Sequence, residues 1–318
     1  MHSVTPQSLT LGPTQTTVPA LGIGTWAWGD SLYWGYGKDY DADTLRAAFR
    51  AAVQAGVPFF DTAEVYGLGE SERLLGQFMK EQEGAIAIAT KYFPLPWRFG
   101  KSAVSDALTA SLKRLQVPSV ALYQVHSPFD FFMGQDTLME ALADEVKQGR
   151  IQTVGVSNYS AEQMLRAHEL LAKRGVPLAV NQVQYSLLER KIEQNGVLQT
   201  AQNLGVTILA YSPLAQGLLT GKYTPDDYQK PQGARQLNPR FSKDGLTKLM
   251  PQVQLLTDVG HAHSKTPAQV ALNWLIAQGN VIPIPGAKSS SQAEQNAGAL
   301  GWSLTEDEVT RISQAFAG

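Results

Sequence analysis

Eight short apolar runs, each of strand length and separated by helical patterns, leave this chain few architectures. The runs are Leu21–Thr25, Val57–Asp61, Ala85–Lys91, Val120–His126, Ile151–Ser157, Ala179–Gln182, Val206–Tyr211 and Val281–Pro285. Between them, Thr44–Gly56 puts Leu45, Ala48, Phe49, Ala52 and Val53 on one face at helical spacing. Val104, Leu108, Leu112 and Leu115 repeat that pattern, as do Leu138, Leu142 and Val146. Thr266-Pro267 reads as an N-cap followed by proline at the first helical position, opening a helix through Trp274. Gln292–Ala299 is an eighth helix and Thr305–Phe316 an extra one. Such alternation demands a parallel sheet with crossover helices, and an open doubly wound sheet is the competitor. The alternation runs to the C-terminus without a linker or composition break. That favours a (β/α)8 TIM barrel occupying residues 1–318 as one domain. Ser8–Leu11 and Thr16–Pro19, around Gly12-Pro13, predict a β-hairpin ahead of the barrel. The polar, proline-containing stretch Tyr223–Asp244 predicts a long loop over one face.

Composition narrows the function. Of 318 residues 43% are hydrophobic and 17% charged, enough apolar material for a large core. The net charge of −2 gives no footing for nucleic acid or an anionic membrane. The absence of cysteine removes disulfides, thiolate nucleophiles and Cys-based zinc sites together. No apolar run reaches the ~18 residues that span a bilayer, and Met1 to Leu11 lacks a signal-peptide pattern. A cytoplasmic protein is the expectation; the sequence does not set its oligomeric state, and a monomer fits.

The strand ends carry the chemistry. Asp61, Lys91, His126, Ser157-Asn158, Asn181-Gln182 and Tyr211 end six different runs. In a closed barrel such ends converge on one rim, where active sites are built. A single polar ending only solvates a turn; six aimed at one mouth need another explanation. Tyr66, five residues after Asp61, can fold back over that mouth. A tyrosine at its reference pKa of ~10 is a poor acid near neutrality. A lysine ammonium beside it stabilises the phenolate, and a carboxylate holds the lysine charged and in place. A neutral imidazole can donate to a substrate carbonyl. Asp61, Tyr66, Lys91 and His126 together read as a proton-donating pocket for a carbonyl oxygen. They include no nucleophile–base pair and no metal site, since His261 and His263 fall in a helix.

One motif misleads. Gly22, Gly24 and Ala27 spell G-x-G-x-x-A, a dinucleotide-binding string, but a true fingerprint opens a helix at once. Here aromatic residues follow and no helix starts before about residue 41.

FFDTAEVYG (Phe59–Gly67), the ATKY holding Lys91, the QVHSP holding His126, VGVSNYS (Val154–Ser160) and NQVQYS (Asn181–Ser186) resemble the aldo-keto reductases. AYSPLAQGLLTGKY (Ala210–Tyr223) and IPIPGAKSS (Ile282–Ser290) do so too, and LGIGTWAWGD is similar to the bacterial and plastid-type branches. The resemblance implies a reductase of aldehydes or ketones, a small-molecule carbonyl substrate and NADPH lying across the barrel mouth. Tyr66 matches the proton donor, Lys91 and Asp61 its tuning partners, and His126 the carbonyl-orienting residue. For the cofactor, Gly24, Thr25 and Trp26 match the first strand end. Ser157, Asn158 and Gln182 match the residues at the nicotinamide carboxamide, and Tyr211 the aromatic stacked on its ring. Ser212, Pro213, Leu214, Gln216, Leu219 and Lys222 match the pyrophosphate loop, with Arg240 as a further phosphate contact. Gly286, Lys288, Ser289, Gln292 and Asn296 match the adenosine end. Lys288 and Ser289 suit a 2′-phosphate. Many members carry Arg and Glu where this chain has Gln292 and Gln295, so one cation for that phosphate is missing.

Aromatic residues crowd the loops after the first, third and fourth strands: Trp26, Trp28, Tyr33, Trp34, Tyr36 and Tyr40; Tyr92, Phe93, Trp97 and Phe99; Phe129, Phe131 and Phe132. Most are loop packing, and the rest line an apolar mouth. Arg98 and Lys101 are either solvated charges or an anchor for a charged substrate. Lys91, at a barrel mouth, is expected to add little to folding. The alternative to an enzyme is a cofactor-sensing module like the potassium-channel β-subunits that share the fold.

Overall fold

The computed structural model describes residues 8–129, 133–229, 235–236 and 238–317. The hairpin is present: β1 (Ser8–Thr10) pairs antiparallel with β2 (Thr17–Pro19), Leu9 opposite Val18. Eight parallel strands follow. They are β3 (Ile23–Gly24), β4 (Phe59–Asp61), β5 (Ala87–Tyr92), β6 (Val120–Val125), β7 (Ile151–Ser157), β8 (Leu178–Gln184), β9 (Thr207–Tyr211) and β10 (Val281–Pro283). Their spatial order is their chain order. The seam between β10 and β3 closes through a parallel bridge at Gly24 and Gly286, with Gly22 N donating to Pro283 O and Gly24 N to Pro285 O, both at 3.0 Å. Pro283 and Pro285 have no N–H to give in return. The ladder is therefore one-sided there, and β3 is shorter than the apolar run Leu21–Thr25.

The helices are α1 (Ala42–Gln54), α2 (Glu70–Met79), α3 (Gly100–Leu115), α4 (Gln135–Lys147), α5 (Ala161–Ala172), α6 (Lys191–Gln194), α7 (Val197–Leu204), α8 (Lys243–His263), α9 (Pro267–Ile276), α10 (Ser290–Ala297) and α11 (Glu306–Ala315). Asp41 caps α1 by accepting from Thr44 N, so no helix follows the glycines at 22 and 24. Thr266 and Pro267 open α9 with a full capping box. Two helices, α8 and α9, lie between β9 and β10, so the C-terminal α11 is not the single addition to the barrel that the alternation predicted. The expected loop Tyr223–Asp244 ends early: a 3₁₀ turn covers Pro239–Phe241, and Ser242 caps α8 through Gly245 N. Its residues 230–234 and 237 lie outside the described residues.

The hairpin plugs the lower end of the barrel. Gly12 N donates to Thr207 Oγ1 at 2.8 Å, and a Cβ on Gly12 would stand 2.5 Å from the Ala179 carbonyl. Leu11 and Val18 join an interior cluster with Phe59, Ala89, Leu122, Val180, Leu209 and Ile282. Side chains alternate along a strand. The positions two residues further on therefore form the next interior layer: Asp61, Lys91, Gln124, Gln182 and Tyr211. A polar layer thus sits directly on an apolar floor, facing the one end the hairpin leaves open.

Candidate active site

Lys91 lies fully buried in that layer, its ammonium paired with Asp61 Oδ1. It also donates to the Thr62 carbonyl at 2.8 Å and reaches Tyr66 OH at 3.4 Å. Asp61 is only 2% exposed. The pair is part of the barrel interior, so the ground for expecting Lys91 to add little to folding, a place at the mouth outside the packed core, does not hold. Tyr66 reaches it from a turn in which Gly67 and Leu68 take left-handed backbone angles, φ 54° and 55°. Burial pushes the Tyr66 phenol up, the Lys91 ammonium pulls it down and Asp61 adds to the rise, with a net upward shift. In this structure, then, Lys91 offsets the cost of burial rather than bringing the phenol below its ordinary value. Burial disfavours the Lys91 ammonium, but Asp61 and Tyr66 outweigh it, so its pKa is raised.

His126 follows β6 and meets Tyr66 edge to face, ring centres 5.7 Å apart at 85°. Phe93 packs on its other neighbouring side at 5.4 Å and on Phe129 at 6.3 Å. Burial, and then the charge of Lys91, lower its pKa to about 3, so the ring is neutral. Its Nδ1 is enclosed without a hydrogen-bond partner.

The residues expected at the nicotinamide end are together. Tyr211 OH donates to Asn158 Oδ1 at 3.1 Å, and Asn158 Nδ2 donates to Ser157 Oγ at 3.1 Å. Ser157 Oγ donates to the Gln182 carbonyl at 2.9 Å. Gln182 itself turns its amide nitrogen down to Asp61 Oδ2 at 2.8 Å. Thr25 is fully buried and its hydroxyl donates to the Asp61 carbonyl at 3.0 Å. Trp26 is exposed and packs on Trp34 at 5.3 Å. Gly24 needs its missing side chain, because a Cβ would stand 2.9 Å from the Ile284 carbonyl.

After β9 the backbone is unusual. Ser212, Ala215 and Gln216 have φ of 51°, 48° and 57°, and Gly217 has 102°. Non-glycine residues held there are costly and gather at functional turns. Pro213 and Leu219 are buried under this turn, with Leu214 half-buried. Gln216 Oε1 is enclosed without a partner. The turn is tied down by Arg235, whose Nε donates to the Gln216 carbonyl at 3.1 Å. Arg235 escaped the sequence reading, which chose Arg240. Arg240 is exposed on the 3₁₀ turn before α8. The signal for Arg235 was slight: one arginine in a polar loop.

At the far end, Ser289 caps α10 by accepting from Gln292 N at 3.3 Å. Gln292 Oε1 accepts from Lys288 N at 2.7 Å, and Asn296 Nδ2 donates to the Gly286 carbonyl at 3.2 Å. Lys222, Arg235 and Lys288 make no ion pair among the described residues, while burial and then Arg235 lower the Lys288 pKa.

The aromatic loops divide. Trp28 is fully buried and donates to the Ala287 carbonyl at 2.9 Å, so it is core. Tyr33, Trp97, Phe99 and Phe129 are exposed. Phe131 and Phe132 lie outside the described residues. Arg98, half-buried, is taken up by a two-pronged pair with Glu64, which also accepts from Phe93 N at 2.6 Å. Lys101 pairs at the surface with Glu140 at 2.7 Å. No cluster of metal-ligating side chains and no helix able to cross a membrane occurs among the described residues.

The family model described as "Aldo/keto reductase family" matches residues 20–317. A chloroplastic pyridoxal reductase of Arabidopsis thaliana is 40% identical, covering 97% of this chain and 86% of its own. The L-glyceraldehyde 3-phosphate reductase of Escherichia coli O157:H7 is 32% identical over 96% and 91%. Among solved structures, the glycerol dehydrogenase of Gluconobacter oxydans superimposes with a TM-score of 0.85 at 30% identity, covering 100% of this chain and 96% of that one. An aldo-keto reductase from Klebsiella pneumoniae in complex with NADPH gives 0.76 at 28%, covering 98% and 95%.

Proposed function

The chain belongs to the aldo/keto reductase family, and from that premise we propose that it reduces an aldehyde or ketone to the alcohol with NADPH, Tyr66 supplying the proton. The observation that carries the reading is the Lys91 ammonium held between the Asp61 carboxylate and the Tyr66 hydroxyl at the open end of the barrel.

The residues present fit the cofactor. Gln216, in a turn of positive backbone angles, leaves an amide oxygen without a partner, an acceptor suited to a hydroxyl or amide N–H of the cofactor and not to its phosphates. Arg235 and Lys222 both bear on Lys288, with Asp39 as the acid that acts on it and no ion pair to any of the three among the described residues, and the N-terminus of α10 adds the positive end of a helix dipole. A nicotinamide cofactor held by these residues would supply the hydride for the carbonyl carbon. Tyr66 gives its hydroxyl proton to the carbonyl oxygen and is left as a phenolate. Lys91 stabilises that phenolate, and Asp61 keeps Lys91 charged. Solvent returns the proton. Neutral His126, with Nδ1 enclosed, offers its other nitrogen to the same oxygen as a hydrogen-bond donor. Phe93 and Phe129 keep that corner apolar, which strengthens each polar contact.

The reading takes residues 1–318 as one domain working in the cytoplasm. Carbonyl-dependent oxidation of NADPH across a panel of small and aromatic aldehydes tests it. Turnover that disappears in Tyr66→Phe supports it. Tight NADPH binding with no turnover on any carbonyl is the outcome of a cofactor-sensing module and overturns it.

A further inference from the structure

Asp61 has more partners than its contact with Lys91 requires. Its second oxygen, Oδ2, accepts from two buried amides, Gln124 Nε2 at 3.0 Å and Gln182 Nε2 at 2.8 Å. Gln182 Nε2 donates in addition to Gln124 Oε1 at 3.2 Å. A carboxylate only accepts, so both amides have to turn their NH2 groups to it, and the chemistry fixes their orientation. Gln124 stands directly across the ladder from Lys91 on one side and Gly155 on the other. A Cβ at Gly155 would lie 2.9 Å from Gln124 Cγ. The missing side chain at 155 is what gives Gln124 room. Behind Asp61, Thr25 N and Oγ1 both donate to its backbone carbonyl, at 2.8 and 3.0 Å. Backbone and carboxylate are thus fixed separately, and the carboxylate oxygen away from Lys91 is fixed by Gln124 and Gln182.

We propose that Gln124 is a positioning residue, locking the Asp61 carboxylate in the orientation that keeps the Lys91 ammonium against Tyr66. The proposal rests on the reading of Tyr66 as the proton donor. The titratable groups facing Tyr66 are Asp61 from β4, Lys91 from β5, His126 after β6 and Tyr211 from β9. Among these only Lys91 favours the phenolate. Lys91 in turn is placed by Asp61, and its 3.4 Å reach to Tyr66 leaves no slack for a carboxylate that turns. Gln124, one strand from Lys91 and fully buried, holds Asp61 directly and also accepts from the Gln182 amide that shares the same oxygen.

Gln124→Met keeps the length and removes the amide; Gln124→Asn keeps an amide one methylene too short. Crystal structures of both variants, and the pH profile of carbonyl-dependent NADPH oxidation, test the proposal. The expected crystal result is a rotated Asp61 with Lys91 Nζ beyond hydrogen-bond reach of Tyr66. In the profile, kcat falls about tenfold, KM stays within about twofold and the alkaline limb moves up by about one pH unit. An unmoved Asp61–Lys91 pair in either folded variant, or a lowered kcat with an unmoved alkaline limb, overturns it. Should Gln124→Met not fold, the smaller polar variant carries the test. If the unmutated protein reduces no carbonyl, the proton-donor reading fails, and the crystal comparison alone decides whether Gln124 holds the pair.

Discussion

The Lys288 ammonium stands 4.5 Å from the centre of the Tyr40 ring. It also lies 5.8 Å from the Trp34 ring, and the Arg235 guanidinium approaches the same indole to 5.5 Å. Two cations sharing one ring repel each other, and burial followed by Arg235 lowers the Lys288 pKa accordingly. An anion with more than one charge relieves that repulsion. Lys288→Ala is expected to weaken NADPH by ~10- to 150-fold, the worth of a charge-assisted phosphate contact, and to leave NADH nearly unchanged. Quenching of tryptophan fluorescence, with Trp34 beside both cations, reads both titrations. An equal loss for the two cofactors would show that Lys288 does not read the 2′-phosphate. Arg235→Ala, acting through the Gln216 turn, is expected to weaken both.

Tyr66→Phe removes the hydroxyl that Lys91 reaches and leaves the ring packed on His126. Turnover is expected to fall by about 100- to 10,000-fold, the range of general acid catalysis. Cofactor affinity should hold, because Tyr66 touches none of the three cations. Rates within threefold of the parent would remove Tyr66 from the chemistry.

How far the sequence could be read depends on the period of each signal. Strand existence was legible because apolar runs bounded by turns leave little choice, and the polar end of each run announced Asp61, Lys91 and His126. Gln124 was missed because it stands inside the run Leu122–Val125, and attention went to the polar residue that ends it. A period of two from Leu122 through Gln124 to His126 was the available clue, since it puts all three on one face. Arg98 was misjudged for a different reason. Its partner, Glu64, is 34 residues away in sequence and belongs to another loop. The beginning of α8 was hidden by its polar start and by Pro251 in its interior, although its end, at His261 and His263, was read as helical. Nothing in local composition could tell Arg235 from Arg240, because only the fold brings Gln216 under one of them.

Lys91→Met is expected to abolish most turnover and also to destabilise the fold. The substitution leaves the Asp61 carboxylate buried with two amide donors but no counter-charge. Breaking a buried pair from one side typically costs about 3–5 kcal/mol, and the two amides place this case at the lower end. Chemical denaturation of the parent and the variant measures it. A variant as stable as the parent would mean that Asp61 is neutralised by another route. The double variant Lys91→Met with Asp61→Leu removes both charges and should recover part of the stability without activity, the buried amide of Gln124 being left without its acceptor.

His126 makes the last prediction, and its sign follows from burial. Its pKa is lowered to about 3, while an unfolded histidine titrates near 6.5. Between those values the unfolded chain binds a proton that the folded chain does not. Stability contributed by the neutral ring is therefore complete above about pH 6.5 and is lost as pH falls towards 3. From pH 7 to pH 5 the loss amounts to about 1–2 kcal/mol. Carboxylates also titrate in acid, so the comparison has to be with His126→Asn, which lacks the ionisable ring and should lose less over the same interval. Denaturant melts of both proteins at pH 7 and pH 5 give the difference directly. The same neutrality predicts no histidine limb in kcat/KM between pH 5 and 8, since the ring that donates to the carbonyl keeps one protonation state throughout. A limb near pH 6.5 that disappears in His126→Asn would mean the ring is charged in the resting protein, and that its enclosed Nδ1 carries a proton.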